Sequence, residues 1–216
     1  MAMALMLTLP CSAAVGAAPP DLVRTDWIVS KLARPAPMRT GFVELRGSKL
    51  LKAPLRIEGE YQRPRGEVLV RQVRAPYSET TTIDRGEVTI ARAGKAPRKF
   101  SLSRAPELVG LQASFGALLA GDQALLEQHY RVASAGTRQQ WTMTLTPRQA
   151  QLAAKVRDIT LYGRGAELRC IETRPVATAG KPAELQRTLL AGAARAAAGV
   201  NDGTALAALC HNDRNG

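Results

Sequence analysis

Residue types that could perform acid–base chemistry are sparse in this chain. Its two histidines are His129, at the end of a predicted helix beside Tyr130, and His211, near the C-terminus. Glu58 and Glu60 share one face of a predicted strand, but they alternate with apolar residues and should therefore face solvent. No nucleophile elbow, zinc-protease motif or phosphate-binding loop is present. The sequence thus predicts no enzyme, cofactor or metal site, while leaving single-site chemistry by Asp or Glu open.

The cysteines give a second chemical prediction. Cys170 and Cys210 remain as an even pair if Cys11 is removed with an N-terminal leader, and an even pair in an oxidising compartment usually forms a disulfide. Such a bond would close a loop of about 40 residues and stabilise the fold by about 3 to 4 kcal/mol. The alternative is two unrelated buried thiols, and neither cysteine has the spacing of a metal site.

The N-terminus is typical of an exported protein. Met1–Leu9 is an apolar run too short to span a bilayer, and small residues follow it. We therefore predict a signal peptide over residues 1–18, cleaved near Ala14 to Ala18. No Lys or Arg precedes the run, and a buried N-terminal helix is the alternative. Pro10 before Cys11 disfavours a lipid anchor.

Composition and charge narrow the classes of partner. The 216 residues are 45% hydrophobic but only 4% aromatic, so aliphatic side chains must form most of the core. The formal charge of +12 favours anionic surfaces. Nucleic acid is not predicted, because an exported protein rarely meets it and the basic residues are not clustered with aromatic ones. Anionic lipid headgroups, an acidic partner or a merely solvated basic surface remain.

Alternating polarity predicts many short strands. In residues 55–62 apolar or small residues alternate strictly with polar ones, which is the period of a strand with one buried face. Similar stretches follow at 88–90, 100–103 and 141–146, and residues 156–162 and 167–173 form a predicted final hairpin. Glycine-containing turns separate these strands. Consecutive strands of this kind favour an antiparallel meander.

Four helical stretches accompany the strands. Asp21 can cap a first helix that continues to Leu32. Ala105 to His129 has one apolar face, is broken at Gly121-Asp122, and should cover the concave side of the sheet. An Ala-rich helix is predicted from Glu184 to Gly199, and a shorter one after Gly203 reaches Cys210. The predicted fold class is α+β, with one domain at 19–175 and a helical C-terminal tail at 176–216 packed on it.

The order of several weak motifs resembles the LolA-like carriers of outer-membrane lipoproteins, over roughly residues 22–173. The motifs are Phe42-Val43-Glu44, Ala53-Pro54-Leu55-Arg56 with Gly59, Arg63-Pro64, Pro76, Asp84-Arg85-Gly86, Trp141 to Pro147, Ile159, and Gly165-Ala166-Glu167-Leu168. In particular the chain is similar to a divergent LolA-related branch associated with gene clusters for aryl polyenes and fatty-acid-like products.

The resemblance implies an incomplete antiparallel barrel whose mouth is covered by helices, with an apolar cavity for acyl chains. It also implies that Arg63, as the arginine before a proline at a strand end, hydrogen-bonds the helical lid. A solvated turn arginine is the alternative. We predict that the cavity is lined from the sheet by Phe42, Leu55, Ile57, Tyr61, Phe100, Leu102, Trp141, Met143 and Leu145. From the lid it would be lined by Leu108, Leu111, Phe115, Leu118 and Leu119. Each of these residues could instead be an ordinary core position.

The functional prediction is a periplasmic carrier that binds an acylated lipoprotein or lipid and delivers it toward the outer membrane. It would be a monomer with transient membrane contact, and its partners would be an inner-membrane exporter and an outer-membrane acceptor. An envelope sensor or scaffold with the same half-barrel is the alternative, as is an accessory carrier of aryl polyene lipid biosynthesis.

Overall fold

The computed structural model describes residues 22–46, 55–104, 116–177 and 185–211. The strands are β1 Met38–Arg46, β2 Leu55–Arg63, β3 Leu69–Ala75, β4 Glu79–Asp84, β5 Glu87–Arg92, β6 Lys95–Ser101, β7 Tyr130–Gly136, β8 Trp141–Pro147, β9 Val156–Arg164, β10 Glu167–Pro175 and β11 Gln186–Leu190. The helices are α1 Thr25–Leu32, α2 at 116–120, α3 Gln123–His129, α4 Ala150–Ala153, α5 Ala191–Ala196 and α6 Gly203–His211.

All of these strands belong to one antiparallel sheet in the order β6-β5-β4-β3-β2-β1-β11-β10-β9-β8-β7. β1 to β6 form one meander and β7 to β10 form another, and β11 joins them by pairing with both β1 and β10. β6 and β7 stand at the two ends of this order, so the sheet is not closed. The predicted single antiparallel sheet with accompanying helices is confirmed.

Local sequence explains the strands and their turns. Along β8 the side chains of Trp141, Met143 and Leu145 are buried on one face, and the threonines between them are half-buried on the other. The turn between β4 and β5 has positive φ at both central residues, 46° at Arg85 and 78° at Gly86. Two positive φ angles are the mark of the tight hairpin turn that matches the twist of antiparallel strands.

Two glycines allow large rings to lie on the inner face of the sheet, which is the face that carries Phe42, Ile57 and Trp141. A Cβ at Gly163 would come within 2.0 Å of the Trp141 indole, and a Cβ at Gly59 within 2.7 Å of the Phe42 ring. Real Cβ atoms do not approach so closely, so each ring occupies the space above a glycine in the adjacent strand. These pairs place the two aromatic side chains in the core.

The main core lies between the inner face and helices α1 to α3. Ile28 and Val29 of α1 and Leu126 of α3 are at most 1% exposed and pack against the inner-face residues of β1, β2 and β8 to β10. Helix α3 begins at the predicted break, where the Asp122 side chain accepts a hydrogen bond from the backbone N–H of Leu125 at 2.8 Å. A capped start of this kind fixes where the helix begins.

The prediction of a continuous helix from Glu184 to Gly199 is wrong. Gln186–Leu190 form β11, which fills the position between β1 and β10, and only Ala191–Ala196 are helical. Hydrogen bonding to two neighbouring strands outweighs the helix preference of this alanine-rich segment, because intrinsic propensity is weak compared with tertiary contacts. The hairpin β9–β10 is therefore not the last part of the sheet.

Smaller differences concern element ends. Helix α1 begins at Thr25, because Leu22 forms an isolated bridge to Thr137 instead. The strand predicted at 100–103 ends at Ser101, and Leu102–Arg104 form a 3₁₀ turn.

The predicted leader, Asp21 and residues 105–115 of the predicted lid lie outside the described residues. Among the helices of the described ranges, none has the length and apolarity needed to cross a membrane.

The outer face of the sheet, which carries Val43, Cys170 and Leu189, has a second core. Helices α5 and α6 cover it with Ala193, Ala194, Ala197 and Leu206, which pack on Val43 and Leu189 of the sheet. The sulfur atoms of Cys170 in β10 and Cys210 in α6 lie 2.12 Å apart in a disulfide. The last helix is thereby attached covalently to the centre of the sheet.

Candidate functional site

The inner face is not filled along its whole length. Beside the main core, a cavity of about 350 Å³ opens between the start of β1, strands β2 to β4, and helix α2. Its apolar lining is Leu32, Met38, Tyr61, Leu69, Val70, Ile83, Leu118, Leu119, Ala166, Leu168, Leu190 and Ala191. A mostly apolar concave space with a few polar groups is the usual form of a small-molecule site, and this volume is at the lower end of that class.

Arg63 ties the cavity's helical cover to the sheet. It is the last residue of β2, and its Nη1 donates to the backbone oxygen of Arg34, after α1, at 2.9 Å and to that of Leu119, in α2, at 3.2 Å. Its Nε donates to the Gly66 oxygen. The backbone N–H of Arg34 also donates to the Leu119 oxygen, at 3.0 Å. One side chain at a strand end thus holds both helical segments over the cavity.

A polar pair interrupts the apolar inner face. Glu44, only 4% exposed, accepts from Arg71 Nη2 at 3.0 Å and from Arg46 Nε. The Arg71 guanidinium lies 4.7 Å from the centre of the Phe42 ring, which itself packs against Tyr61 at 4.7 Å between ring centres. Arg71 and Tyr61 both line the cavity. The wall therefore carries a phenol and a guanidinium among aliphatic side chains, and the guanidinium is paired with the buried Glu44 behind it.

Burial and nearby charges shift the pKa values of Tyr61 and Arg71. Burial raises the pKa of Tyr61, and the positive charge of Arg71 only partly offsets that effect. Burial alone would lower the pKa of Arg71, but its interactions with Tyr61 and Glu44 outweigh it and raise the pKa. Near neutral pH the wall therefore presents a guanidinium and an un-ionised phenol.

The structure brings three of the predicted cavity residues to this cavity: Tyr61, Leu118 and Leu119. Trp141, Met143, Leu145 and Ile57 lie in the packed core, each at most 1% exposed, and Leu55 packs against it. Phe42 is 2% exposed and also borders a more open groove near α5. Phe100 and Leu102 pack with Ile83 and Val88 in a separate cluster. Leu108, Leu111 and Phe115 lie outside the described residues. Contact of any of these residues with a ligand stays a prediction.

Sequence reasoning missed the polar part of the lining. Arg34, Arg39 and Arg71 line the cavity together with Glu167. The sequence of β1 did contain a signal for a buried ion pair. Strict alternation puts Glu44 on the same face as Phe42, and a charged residue on a buried face needs a partner of opposite charge. The partner, Arg71, is two strands away, and only the register of β1, β2 and β3 brings the two together.

A second polar cluster lies on the outer face. Glu172, 2% exposed, accepts from Arg187 Nη2 at 2.6 Å and from the Tyr162 hydroxyl at 3.1 Å, and it lies 3.0 Å from His211 Nε2. Glu172, Cys210 and His211 are the one group of metal-ligand types found among the described residues, with donor atoms within 4.8 Å. Cys210 is bonded to Cys170 and therefore offers no thiolate.

Two pKa shifts follow from that cluster. Burial and the adjacent charge of Glu172 raise the pKa of Tyr162 to about 12. Burial alone would raise the pKa of Glu172, but the hydrogen bond and charge of Arg187, with a further contribution from His211, outweigh it and hold the pKa below its usual value. The cluster therefore stabilises the ionised carboxylate under the helical cover of the outer face.

The match to a family model agrees with the sequence resemblance. The family described as outer membrane lipoprotein carrier protein LolA-like matches residues 17–213. Among solved structures, the chain is similar to a LolA superfamily protein from Nitrosomonas europaea, at 9% sequence identity and a TM-score of 0.39, with 77% of this chain and 90% of that chain covered. A search of curated proteins found no significant match.

Proposed function

The chain belongs to the LolA-like family of outer membrane lipoprotein carrier proteins, and from that membership we propose that it is a periplasmic carrier. It would hold the acyl chains of a lipoprotein or lipid in the cavity on the inner face and deliver them toward the outer membrane, without catalysing a reaction. The observation that carries this proposal is an apolar cavity whose helical cover is joined to the sheet by the side chain of Arg63.

The cavity suits chains better than compact polar ligands. Most of its lining is aliphatic, and an enclosed acyl chain gains about 0.8 kcal/mol for each methylene buried. A long chain bound in full would be held too tightly to leave quickly, so a carrier needs a way to open. The volume in this closed form admits part of such a chain, so we infer that the cover moves outward to admit the rest.

Arg63 is placed to control that movement. Its three acceptors are backbone oxygens on the β2–β3 turn, the segment after α1, and α2. Backbone acceptors impose no side-chain identity on the cover, so the contact can break and re-form without other rearrangement of charge. We propose that cargo entry displaces Arg63 from Leu119 and that the contact re-forms on release.

The compartment and the partners follow from the same proposal. A disulfide between Cys170 and Cys210 is expected in an oxidising envelope compartment. Delivery across that compartment requires a donor at the inner membrane and an acceptor at the outer membrane. The carrier would be a monomer that contacts membranes only during transfer.

The role of Arg63 can be tested with an Arg63→Leu variant. We expect the variant to bind acylated cargo but to transfer it to acceptor vesicles at least about tenfold more slowly, because the closed cover no longer re-forms to drive cargo out. Transfer of a fluorescent acylated peptide from loaded protein to vesicles measures the rate. The matched control is Arg131→Leu, because it makes the same substitution at an exposed position of β7, at the far end of the sheet.

Unchanged transfer by Arg63→Leu would remove the proposed latch. The carrier proposal itself is tested by purifying the protein from its native envelope and identifying co-extracted molecules by mass spectrometry. A protein that repeatedly emerges without an acylated molecule, and takes none up from donor vesicles, would contradict the carrier function. Binding without stoichiometric transfer would favour a sensor or scaffold instead.

A further inference from the structure

We infer that a row of polar side chains across the cavity wall binds the carbonyl group of the cargo's acyl chain, with Arg71 as its principal donor. This inference rests on the proposed carrier function and specifies which chemical group of the cargo the cavity recognises. The cavity would prefer chains attached through an ester or amide over chains that carry no carbonyl group.

The register of the sheet places a set of polar residues in one line. Thr40 of β1 pairs with Tyr61 of β2, and Tyr61 pairs with Arg71 of β3. Arg71 in turn pairs with Thr81 of β4, and every member of this set lines the cavity. Residues directly opposite each other in antiparallel strands lie on the same face of the sheet. Thr40, Tyr61, Arg71 and Thr81 therefore form a continuous polar row on the inner face.

Apolar residues border the polar row on both sides. Toward the nearer edge of the sheet, the next inward-facing positions of β1, β3 and β4 are Met38, Leu69 and Ile83, which also line the cavity. Toward the core, the next positions of β1 and β3 are Phe42 and Val73, at most 2% exposed. The row is thus a polar interruption within an apolar wall, and a chain that fills the cavity lies against it.

Arg71 is the strongest donor of the polar row. Its Nη2 donates to Glu44 at 3.0 Å, but a guanidinium carries several N–H donors, and this bond does not use them all. The side chain of Arg71 remains 18% exposed, against 5% for that of Glu44. The guanidinium is therefore the partner that reaches the cavity, and the carboxylate lies behind it.

The ion pair favours a neutral acceptor over an anion. The charge of Arg71 is already compensated by Glu44, which would repel a second carboxylate at the same guanidinium. A carbonyl oxygen needs only a donor, and a charged donor makes the stronger kind of hydrogen bond. Burial raises the pKa of the adjacent Tyr61, so its phenol stays protonated and adds no opposing charge.

A hydrocarbon chain would fit the space but leave the polar row without an acceptor. Enclosing such a chain removes water from the guanidinium and the hydroxyl groups, which costs free energy when no partner replaces the water. The acyl chains of lipoproteins and lipids are attached through ester or amide carbonyls. Each chain of the proposed cargo therefore brings one acceptor for the row.

Two ligands that differ only in the carbonyl group test the inference. Methyl dodecanoate and dodecyl methyl ether share one chain, and the ether lacks the carbonyl oxygen. Displacement of a fluorescent fatty-acid analogue, below the solubility limit of each compound, gives both affinities. Because the ester is also the more water-soluble of the two, the quantity to compare between proteins is the ratio of ester affinity to ether affinity.

The decisive variant replaces the ion pair with apolar residues, as Glu44→Leu combined with Arg71→Met. Replacing both partners leaves neither of their charges buried and unpaired, so the fold should persist. We expect the ratio of ester to ether affinity to fall about tenfold, which corresponds to about 1.4 kcal/mol. The matched control is Glu60→Leu combined with Arg74→Met, which removes an ion pair between β2 and β3 on the outer face.

Infrared spectroscopy tests the same contact without a variant. Methyl dodecanoate with an isotopic label at the carbonyl carbon should show a lower carbonyl stretching frequency when bound to the wild-type protein than in dry hexane, because a hydrogen bond weakens the C=O bond. A bound ester that keeps the frequency seen in hexane would overturn the inference. This measurement decides the matter if the double variant does not fold.

The remaining outcomes separate the inference from the proposed function. An unchanged affinity ratio in the Glu44→Leu, Arg71→Met variant, or an equal fall in the control, overturns the carbonyl inference and leaves the carrier intact. Dodecanoate that binds more tightly than its methyl ester at the same ionic strength would indicate an anion site, which also overturns the inference. Failure of every ligand to bind contradicts the carrier function itself.

Discussion

The two faces of the sheet are covered in opposite ways. On the outer face, small side chains such as Ala193 and Ala197 let α5 and α6 lie close to the strands, and a disulfide holds α6 there. On the inner face, α1 and α3 pack firmly, but α2 leaves a cavity and is tied down by hydrogen bonds from Arg63. One face therefore provides stability, and the other, in part, provides space.

The polar groups follow the same division. Glu172 on the outer face sits in a cluster with Arg187, Tyr162 and His211, covered by α6. On the inner face, the buried Glu44 pairs with Arg71, which lines the cavity. The carboxylate is thus sealed under a helix on the first face, whereas its arginine partner reaches the cavity on the second.

The largest expected effect comes from the filled part of the inner face. Trp141 is 1% exposed, lies over Gly163 and donates its Nε1–H to the Gly165 oxygen at 2.9 Å. Trp141→Ala should lower the free energy of unfolding by about 3 to 5 kcal/mol, because it leaves a large cavity and an unpaired oxygen. Denaturant titration measures this. Leu119→Ala, at the existing cavity, should cost clearly less, and equal losses would show that the two halves of the face do not differ.

The disulfide tests whether the outer face can be weakened by itself. Replacing both Cys170 and Cys210 with Ala should lower the free energy of unfolding by about 3 to 4 kcal/mol, since the unfolded chain regains a loop of about 40 residues. Chemical denaturation of oxidised wild type and of the double variant provides the comparison. Cargo affinity should not change, and a parallel loss of binding would show that the two faces are coupled.

A smaller effect is expected from acid. Because the folded pKa of Glu172 is lowered, its contribution to stability is complete above the unfolded value of about 4.3 and is lost as the pH falls through the folded pKa. Glu172→Gln should therefore destabilise the protein by about 1 to 3 kcal/mol at neutral pH and by much less in strong acid. Thermal denaturation between neutral pH and acid measures the difference, and parallel curves for wild type and variant would contradict it.

Much of the fold was predictable because it is local in origin. The alternation in residues 55–62 and 141–146 does correspond to strands, and the break at Gly121-Asp122 does separate two helical segments. The final helix also reaches Cys210 as predicted. Each of these features depends on periodicity or on a cap within a few residues of the chain.

The candidate site was less predictable because its residues come from distant parts of the chain. Tyr61, Leu118 and Leu119 were identified as apolar positions, and all three line the cavity. No local sequence pattern distinguished Arg34 and Arg39, since an arginine near a helix end or a strand start is usually solvated. The placement of the helices on the sheet decides which apolar residues line a cavity and which fill the core. The alternation of residues along a strand does not predict that placement.

The sequence by itself determined the antiparallel strand-rich architecture, the positions of most turns, and the family resemblance, because side-chain alternation and turn residues act over short distances. Only the tertiary structure decided that Gln186–Leu190 become a central strand, because that outcome depends on two partner strands remote in sequence. It also decided where the packing is incomplete. A cavity is the volume left after distant elements meet, and no single segment encodes it.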